Sequence, residues 1–154
     1  MTSKIVVTGL GATTPLGGDV KSTWAALLAG ESGITTLEQE WVARHQLPVT
    51  FAGQAKVPAK EVLAHKEVKR LDPSSQFALV AAREAWADAG APDVVPERLA
   101  VEFSTGIGGV WTLLDAYDTL NAGEARHVSP MTVPMLMPNG PAAAIGMDLA
   151  ARGG

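Results

Sequence analysis

The stretch "KIVVTGLGATTPLGGD", residues 4–19, shows how the chain begins to fold. Its apolar, β-branched run Ile5–Thr8 stops at Gly9, which predicts a short buried strand followed by a tight turn. Asp19 predicts the N-cap of a helix that continues to about Ala29. A buried strand followed by a helix is the repeating unit of an α/β fold.

The glycines of this stretch also invite comparison with a dinucleotide-binding loop, whose fingerprint has a third glycine where strand passes into helix. Here Gly9 and Gly11 are followed by Thr14 and Pro15, and the next helix is predicted to begin only near Asp19. The N-terminus of that helix lies too far along the chain to hold a pyrophosphate beside Gly9. The sequence therefore favours a tight strand-to-loop turn.

Two further patterns extend this alternation. Asp72 followed by Pro73 predicts the start of a helix that ends at Gly90. The run Leu99–Thr105 has the composition of a second strand. We expect the intervening residues 31–70, which are more polar, to form an irregular excursion from the core.

The last third of the chain is predicted to contain two helices. One follows the glycine turn at residues 106–109, and the other has Asn139 as its N-cap and continues to about Ala151. Strands that alternate with helices indicate an α/β layered fold with a largely buried sheet.

Composition limits the classes of function. Hydrophobic residues make up 47% and charged residues 18% of the 154, which is typical of a globular chain. The net charge of −4 argues against a nucleic-acid partner, and the absence of cysteine excludes disulfides and thiolate metal sites within these residues. No spacing typical of metal ligands occurs, and no run is long enough to span a membrane. We expect a soluble cytoplasmic protein.

Four stretches occur in an order and spacing typical of one enzyme family: "VVTGLGATTPLGGDVKSTWAALLAGESGI", "KRLDPSSQFALVAAREAWADAG", "STGIGGV" and "VSPMTVPMLMPNGPAAAIG". They resemble the amino terminus of the β-ketoacyl-acyl-carrier-protein synthases, the condensing enzymes of fatty acid synthesis. The resemblance is nearest to the type II elongation synthases of bacteria. It implies that residues 1–154 form the N-terminal part of a thiolase-like layered αβαβα fold.

The resemblance also implies a reaction. A 3-oxoacyl-[acyl-carrier-protein] synthase is an acyltransferase that elongates fatty acyl chains by decarboxylative condensation of malonyl-carrier protein with an acyl-enzyme thioester. Its substrates are bound to the phosphopantetheine of acyl carrier protein, and neither a metal nor a further cofactor is implied. The parent enzyme is expected to be a homodimer.

The catalytic groups of that family are a cysteine nucleophile, two histidines and a lysine. Family spacing places all four after Gly154, so we expect no catalytic residue within these residues and no activity from this chain alone. His45, His65 and His127 lie in polar or loop stretches and match none of the family's catalytic histidines.

A cluster of basic residues is the first candidate binding site. In "HKEVKRLD", the spacing of Lys66, Lys69 and Arg70 predicts a shared helical face. The resemblance places this segment at the surface that docks the acyl carrier protein. The alternative is an ordinary solvated charged face.

Two apolar segments are candidates for the acyl pocket. Glycines on both sides of Ile107 let the backbone approach a ligand closely, and the resemblance places Ile107 beside the acyl pocket. Met131, Thr132 and Val133 lie in a proline- and methionine-rich segment. In the family this segment runs along the dimer interface and closes the acyl pocket of the partner subunit. Ordinary core packing is the alternative for both segments.

Two other functions are compatible with these residues. A polyketide ketosynthase, or its non-condensing chain-length partner, has the same fold. A non-catalytic carrier-binding or dimerisation module made of this stretch alone would belong to a different functional class.

Overall fold

The computed structural model describes residues 4–153. Their helices are α1 Val20–Leu28, α2 Glu40–Arg44, α3 His65–Val68, α4 Pro73–Asp88, α5 Val110–Asn121, α6 Thr132–Leu136 and α7 Gly140–Asp148. Two strands, β1 Ile34–Thr36 and β2 Phe51–Gly53, pair with each other. Short 3₁₀ turns lie at Ala59–Glu61, Pro96–Arg98 and Ala125–His127.

The predicted helix starts are confirmed where a side chain caps the first turn. Asp19 Oδ1 accepts a hydrogen bond from the amide of Ser22 at 2.6 Å, and α1 begins at the next residue. Asp72 caps α4 in the same way, with Pro73 as the first helical residue. Helix α4 ends before Gly90, whose φ of +82° is in the left-handed region that favours glycine.

The last helix differs slightly from its prediction. Asn139 does occupy the N-cap position of α7, but its side chain makes no capping hydrogen bond. Helix α7 also ends at Asp148, earlier than the predicted Ala151, which has left the helical conformation. Ala150, with φ +53°, reverses the chain just before that residue.

The two predicted buried strands are wrong at the local level. Ile5–Thr8 and Leu99–Thr105 pair with no strand among residues 4–153, and Ile5 is 98% exposed. Both segments border one groove of about 350 Å³, with residues of α4 and α7, such as Ala85 and Ile145, between them. A strand is defined by hydrogen bonds to a neighbouring strand, and neither segment has such a partner among residues 4–153.

Residues 31–70 are more regular than predicted. Strand β1 is antiparallel to β2, with Ile34 opposite Gly53, and helix α2 lies between the two strands in the chain. Pro15 of the opening stretch lies so close to Gly33 and Gly53 that a Cβ on either glycine would contact it. The expected excursion therefore folds back onto the start of the chain.

The core lies where α4 packs against α7. Its buried residues include Ala78, Leu79 and Ile145, together with Ala59 and Leu63 from the segment that precedes α3. Alanines at the contact let the two helix backbones approach closely, which explains the alanine-rich composition of both helices.

The opening glycine turn packs directly on α4. The amide of Ala12 donates to Glu84 Oε2 and the amide of Val20 donates to Glu84 Oε1, both at 2.8 Å, and Leu10 donates to Asp88 Oδ2 at 2.9 Å. These backbone amides therefore donate to carboxylates of the protein itself, whereas the amides of a nucleotide-binding loop donate to phosphate. This geometry supports the interpretation of residues 4–19 as a structural turn.

Candidate functional site

Lys66 and Arg70 lie at the edge of an open groove of about 460 Å³, which we call the basic groove. Both side chains belong to exposed residues. Two acidic residues, Glu67 and Asp148, also line the groove, and the rest of its surface is apolar: Leu71, Leu79, Met131, Ala144 and Met147. The structure therefore brings two of the predicted docking residues together with one of the predicted pocket residues.

Lys69 faces a different depression. It lines a second groove of about 210 Å³, together with Thr112 of α5, His127 and Thr132 of α6. Helix α3 is only one turn long and ends at Val68, so Lys69 follows the helix rather than continuing its face. Arg70 also follows the helix, so the predicted shared helical face does not form; Lys66 and Arg70 nevertheless line the same groove, whereas Lys69 lines another.

An ion-pair network contains the two acidic side chains that line the basic groove, Glu67 and Asp148. Arg83 of α4 donates to Glu67 Oε1 at 2.6 Å and to Asp148 at 2.6 and 2.9 Å. These hydrogen bonds lower the pKa of both carboxyl groups and raise the pKa of Arg83. Arg83 offsets one of the two acidic charges, so Lys66 and Arg70 together leave this group of five side chains with a net charge of +1.

The glycine turn at residues 106–109 packs against the C-terminal end of α6. The amide of Gly109 donates to the carbonyl of Leu136 at 3.1 Å, and the amide of Gly108 donates to Thr105 Oγ1 at 2.6 Å. Gly108 has φ +83° and its Cα faces the carbonyl of Leu136, so both the conformation and the close approach require glycine.

The four predicted pocket residues lie at two places on this unit. Ile107 projects from the turn and is 75% exposed, beside the C-terminal end of α6. Met131, Thr132 and Val133 lie at the N-terminal end of α6, where Val133 is 63% exposed. Neither Ile107 nor Val133 is therefore a core residue within residues 4–153.

Asp72 is a residue whose wider role the sequence did not reveal. It is 1% exposed, and it accepts hydrogen bonds from Ser74 of α4 and from Thr112 of α5. The pair Asp72-Pro73 predicts the cap of α4, whereas Thr112 lies 40 residues further along the chain. No local pattern could have predicted that second contact.

Within residues 4–153, no cluster of three or more histidine and carboxylate side chains could hold a metal ion. Over the same residues, no helix combines the length and the apolar character needed to cross a bilayer.

The family of the chain follows from comparison with known proteins. Residues 2–154 match the model of the β-ketoacyl synthase N-terminal domain. The chain therefore belongs to the β-ketoacyl synthase family, which confirms the resemblance noted in its sequence.

Relatives of known name agree with this assignment. The chain is 38% identical over 150 residues to the 3-oxoacyl-[acyl-carrier-protein] synthase 2 of Mycobacterium tuberculosis strain H37Rv. It is 37% identical over 153 residues to the enzyme of the same name from Staphylococcus aureus strain N315. Each match covers 97% of this chain and 36% of the relative, so the chain spans about a third of the length of these relatives.

Solved structures confirm the α/β ketosynthase fold. A β-ketoacyl synthase from Burkholderia phymatum superimposes with a TM-score of 0.81 at 23% identity, covering 99% of this chain and 38% of that one. The ishigamide ketosynthase/chain length factor superimposes with a TM-score of 0.73 at 21% identity, covering 95% of this chain and 37% of that one. The ketosynthase AntDE, solved in complex with its type II PKS acyl-carrier protein AntF, superimposes with a TM-score of 0.69 at 17% identity, covering 94% of this chain and 38% of that one.

Proposed function

We propose that this chain forms the N-terminal part of a 3-oxoacyl-[acyl-carrier-protein] synthase, a cytoplasmic homodimer that elongates fatty acyl chains by decarboxylative condensation. The match of residues 2–154 to the family model, with 37–38% identity to synthases of that name, is the observation that supports it. The reaction needs no metal and no cofactor beyond the phosphopantetheine that carries the substrates. The nucleophile and its partners belong to residues that follow this chain in the parent.

Acyl carrier protein is the proposed partner of the basic groove. Carrier proteins are acidic, and the exposed side chains of Lys66 and Arg70 stand at the edge of an apolar surface that includes Met131 and Met147. Positive charge at the edge steers an acidic partner, and the flexible methionines adapt to its apolar contacts. Lys69 contributes from the neighbouring groove through longer-range attraction.

Ile107, Met131, Thr132 and Val133 are the proposed acyl-pocket and dimer-interface residues. The high exposure of Ile107 and Val133 within this chain leaves their side chains available to other parts of the parent or to the second subunit. The contact between the glycine turn and α6 holds the two groups in one unit.

The proposal is tested on the intact enzyme that contains this chain. Condensation of acyl primers with malonyl-carrier protein is measured for the wild type, for Lys66→Glu with Arg70→Glu, and for a control with Lys21→Glu and Arg98→Glu. The control residues are exposed, lie outside both grooves and change the net charge equally.

We expect the groove variant to raise KM for carrier-bound substrates about tenfold at low salt, and the difference to shrink as salt screens the charges. Small thioester substrates without the carrier should react at nearly the wild-type rate, and the control should behave as the wild type. An equal loss with both kinds of substrate would contradict docking at this groove. A wild-type enzyme that fails to condense fatty acyl primers but accepts polyketide intermediates would overturn the assignment to fatty acid synthesis.

A further inference from the structure

We infer that Asp72 is a positioning residue that fixes the glycine turn bearing Ile107, and that it thereby sets which acyl lengths the pocket accepts. The inference rests on the proposed function, because it assigns a role in that enzyme's choice of primer. It concerns a buried carboxyl group that lies outside the groove and outside the proposed pocket residues.

The carboxyl group of Asp72 connects the first turns of two helices. Its Oδ1 accepts from the amide and the hydroxyl of Ser74 at 3.0 and 2.8 Å, which caps α4. Its Oδ2 accepts from the hydroxyl of Thr112 at 2.7 Å and from the amide of Thr112 at 3.3 Å, in the first turn of α5. The start of α5 is therefore held at a fixed distance from the start of α4.

The turn itself lies directly on this carboxyl group. A Cβ at Gly109 would lie 2.9 Å from Asp72 Oδ2 and would also collide with the carbonyl of Met135 in α6. Gly109 is thus enclosed between Asp72 and α6, two residues after Ile107. Any displacement of the first turn of α5 moves the backbone that bears Ile107.

Ile107 has little packing of its own to hold it in place, since three quarters of it is exposed within this chain. Its position depends on its backbone neighbours, and the nearest fixed points are the amides of Gly108 and Gly109 and the contact between Thr112 and Asp72. A side chain that limits acyl length must be held to within a fraction of an ångström to discriminate single methylenes.

The same helix end also holds the segment with the docking residues. The side-chain amide of Gln76 donates to the carbonyls of Leu71 and Val68 at 2.8 and 3.2 Å. The amide of Gln76 donates to the carbonyl of Asp72 at 3.0 Å. Asp72 is therefore located between the segment that ends at Arg70 and the turn that bears Ile107.

The test removes the hydroxyl partner and leaves the cap of α4 intact. In the intact enzyme, kcat/KM is measured for a series of acyl primers with Thr112→Val, which keeps the branched shape, and with Thr112→Ser, which keeps the hydroxyl. We expect Thr112→Val to change the ratio of long to short primers about tenfold, the size expected for one methylene in a pocket. Thr112→Ser should restore the wild-type ratio.

Thr112→Val and Thr112→Ser are then compared in an Ile107→Ala background, which lacks the side chain proposed to discriminate acyl length. There, Thr112→Val should no longer alter the ratio. A uniform loss for every primer, or a change of ratio that persists without the Ile107 side chain, would overturn the inference.

A second measurement does not depend on activity. Hydrogen exchange of the substrate-free intact enzyme should become about tenfold faster at residues 106–111 in Thr112→Val, in line with the loss of a hydrogen bond to a buried carboxyl group. The core around Ala78 and Leu79 should keep its protection. Unchanged exchange in the turn would refute the positioning role, whereas a wild-type enzyme without condensing activity would refute only the proposed function.

Discussion

At the scale of single residues, glycines define the two turns on which the rest of the site depends. Gly11 lies against the backbone of α4 and Gly109 lies against Asp72, and in each case an added methyl group would meet other atoms. Substitution of Gly11 would disturb the opening turn, whereas substitution of Gly109 would disturb the turn that bears Ile107 of the proposed pocket.

Replacement of Gly11 by alanine is expected to destabilise the protein by about 1–3 kcal/mol, as overpacking does elsewhere. Its Cβ would lie 2.8 Å from the amide nitrogen of Ala85 and would collide with the carbonyl of Ala81. Gly146→Ala is the matched control, since a Cβ there meets nothing within 4 Å and the residue lies inside α7. Alanine at that site should stabilise the helix by about 0.5–1 kcal/mol. Thermal melting of the two variants in the intact enzyme tests this contrast. Equal changes in melting temperature for Gly11→Ala and Gly146→Ala would contradict the prediction.

Replacement of Ile107 by phenylalanine is expected to shift primer preference toward short acyl chains. On the proposed function, the larger ring would occupy space that a long acyl chain needs, and a pocket discriminates by about 1–3 kcal/mol per methylene. Kinetics with a series of primers measures the shift, with Val95→Phe as a control at another exposed apolar position. A uniform fall in rate together with a lower melting temperature would mean that Ile107 packs as core in the intact enzyme.

At the scale of elements, α4 organises most of the described structure. Its N-cap Asp72 contacts α5, its Arg83 contacts α3 and α7, and its Glu84 contacts the opening stretch. The helix forms for local reasons, namely a capping aspartate, a proline at the first position and a run of good helix formers.

Features that depend on neighbouring residues could be predicted from the sequence, whereas features that depend on distant parts of the chain could not. The start of α4 at Pro73 depends on neighbouring residues and was predicted correctly. The strand at Ile5–Thr8 depends on a hydrogen-bonding partner from elsewhere, so its apolar composition alone could not establish it. The same applies to the basic cluster: its spacing predicted one helical face, but α3 ends at Val68, before Lys69 and Arg70, and the chain beyond it turns Lys69 toward a different groove from Lys66 and Arg70.

The Arg83 network predicts a pH dependence of stability. Hydrogen bonds from Arg83 lower the pKa of Glu67 and Asp148 in the folded state, so the unfolded chain binds more protons as the solution becomes acidic. Their contribution is therefore fully present above the ordinary carboxyl pKa of about 4 and is lost as pH falls below it. The side chains are partly exposed, so we expect about 1 kcal/mol in total.

Arg83→Met should remove most of this contribution and flatten the acid side of the stability profile, although the amide of Ala64 still donates to Glu67. Arg152→Met is the control, because Arg152 lies 4.0 Å from Glu97 in a pair that is mostly exposed. Denaturant unfolding of the intact enzyme between pH 3 and 7 gives the profile. A wild-type slope that survives in Arg83→Met would show that other carboxyl groups cause it.

At the scale of the whole molecule, apolar faces remain uncovered. Helix α1 exposes Trp24 and Leu28, and α5 exposes Leu113 and Tyr117. Exposed apolar surface of this extent is typical of an interface with other chain segments or with a second subunit. It accords with a chain that spans about a third of its relatives.

We expect the 154-residue chain by itself to associate and to bind a hydrophobic dye such as ANS. It should also lack condensing activity, since it contains no cysteine to act as the nucleophile. Sedimentation, dye fluorescence and a decarboxylation assay with malonyl-carrier protein measure these properties. A sharp cooperative melt of a soluble monomer, or turnover above background, would contradict the expectation.

The contacts of the opening turn also determine when it can fold during synthesis. The carboxylates that accept hydrogen bonds from Leu10 and Ala12 belong to residues 78 and 72 positions later in the chain. At about 5–20 residues per second, a ribosome needs roughly 4–16 s to make that interval. Over this period the amides of Leu10 and Ala12 have no carboxylate of α4 to donate to, so the opening turn can reach its folded geometry only after α4 has been made.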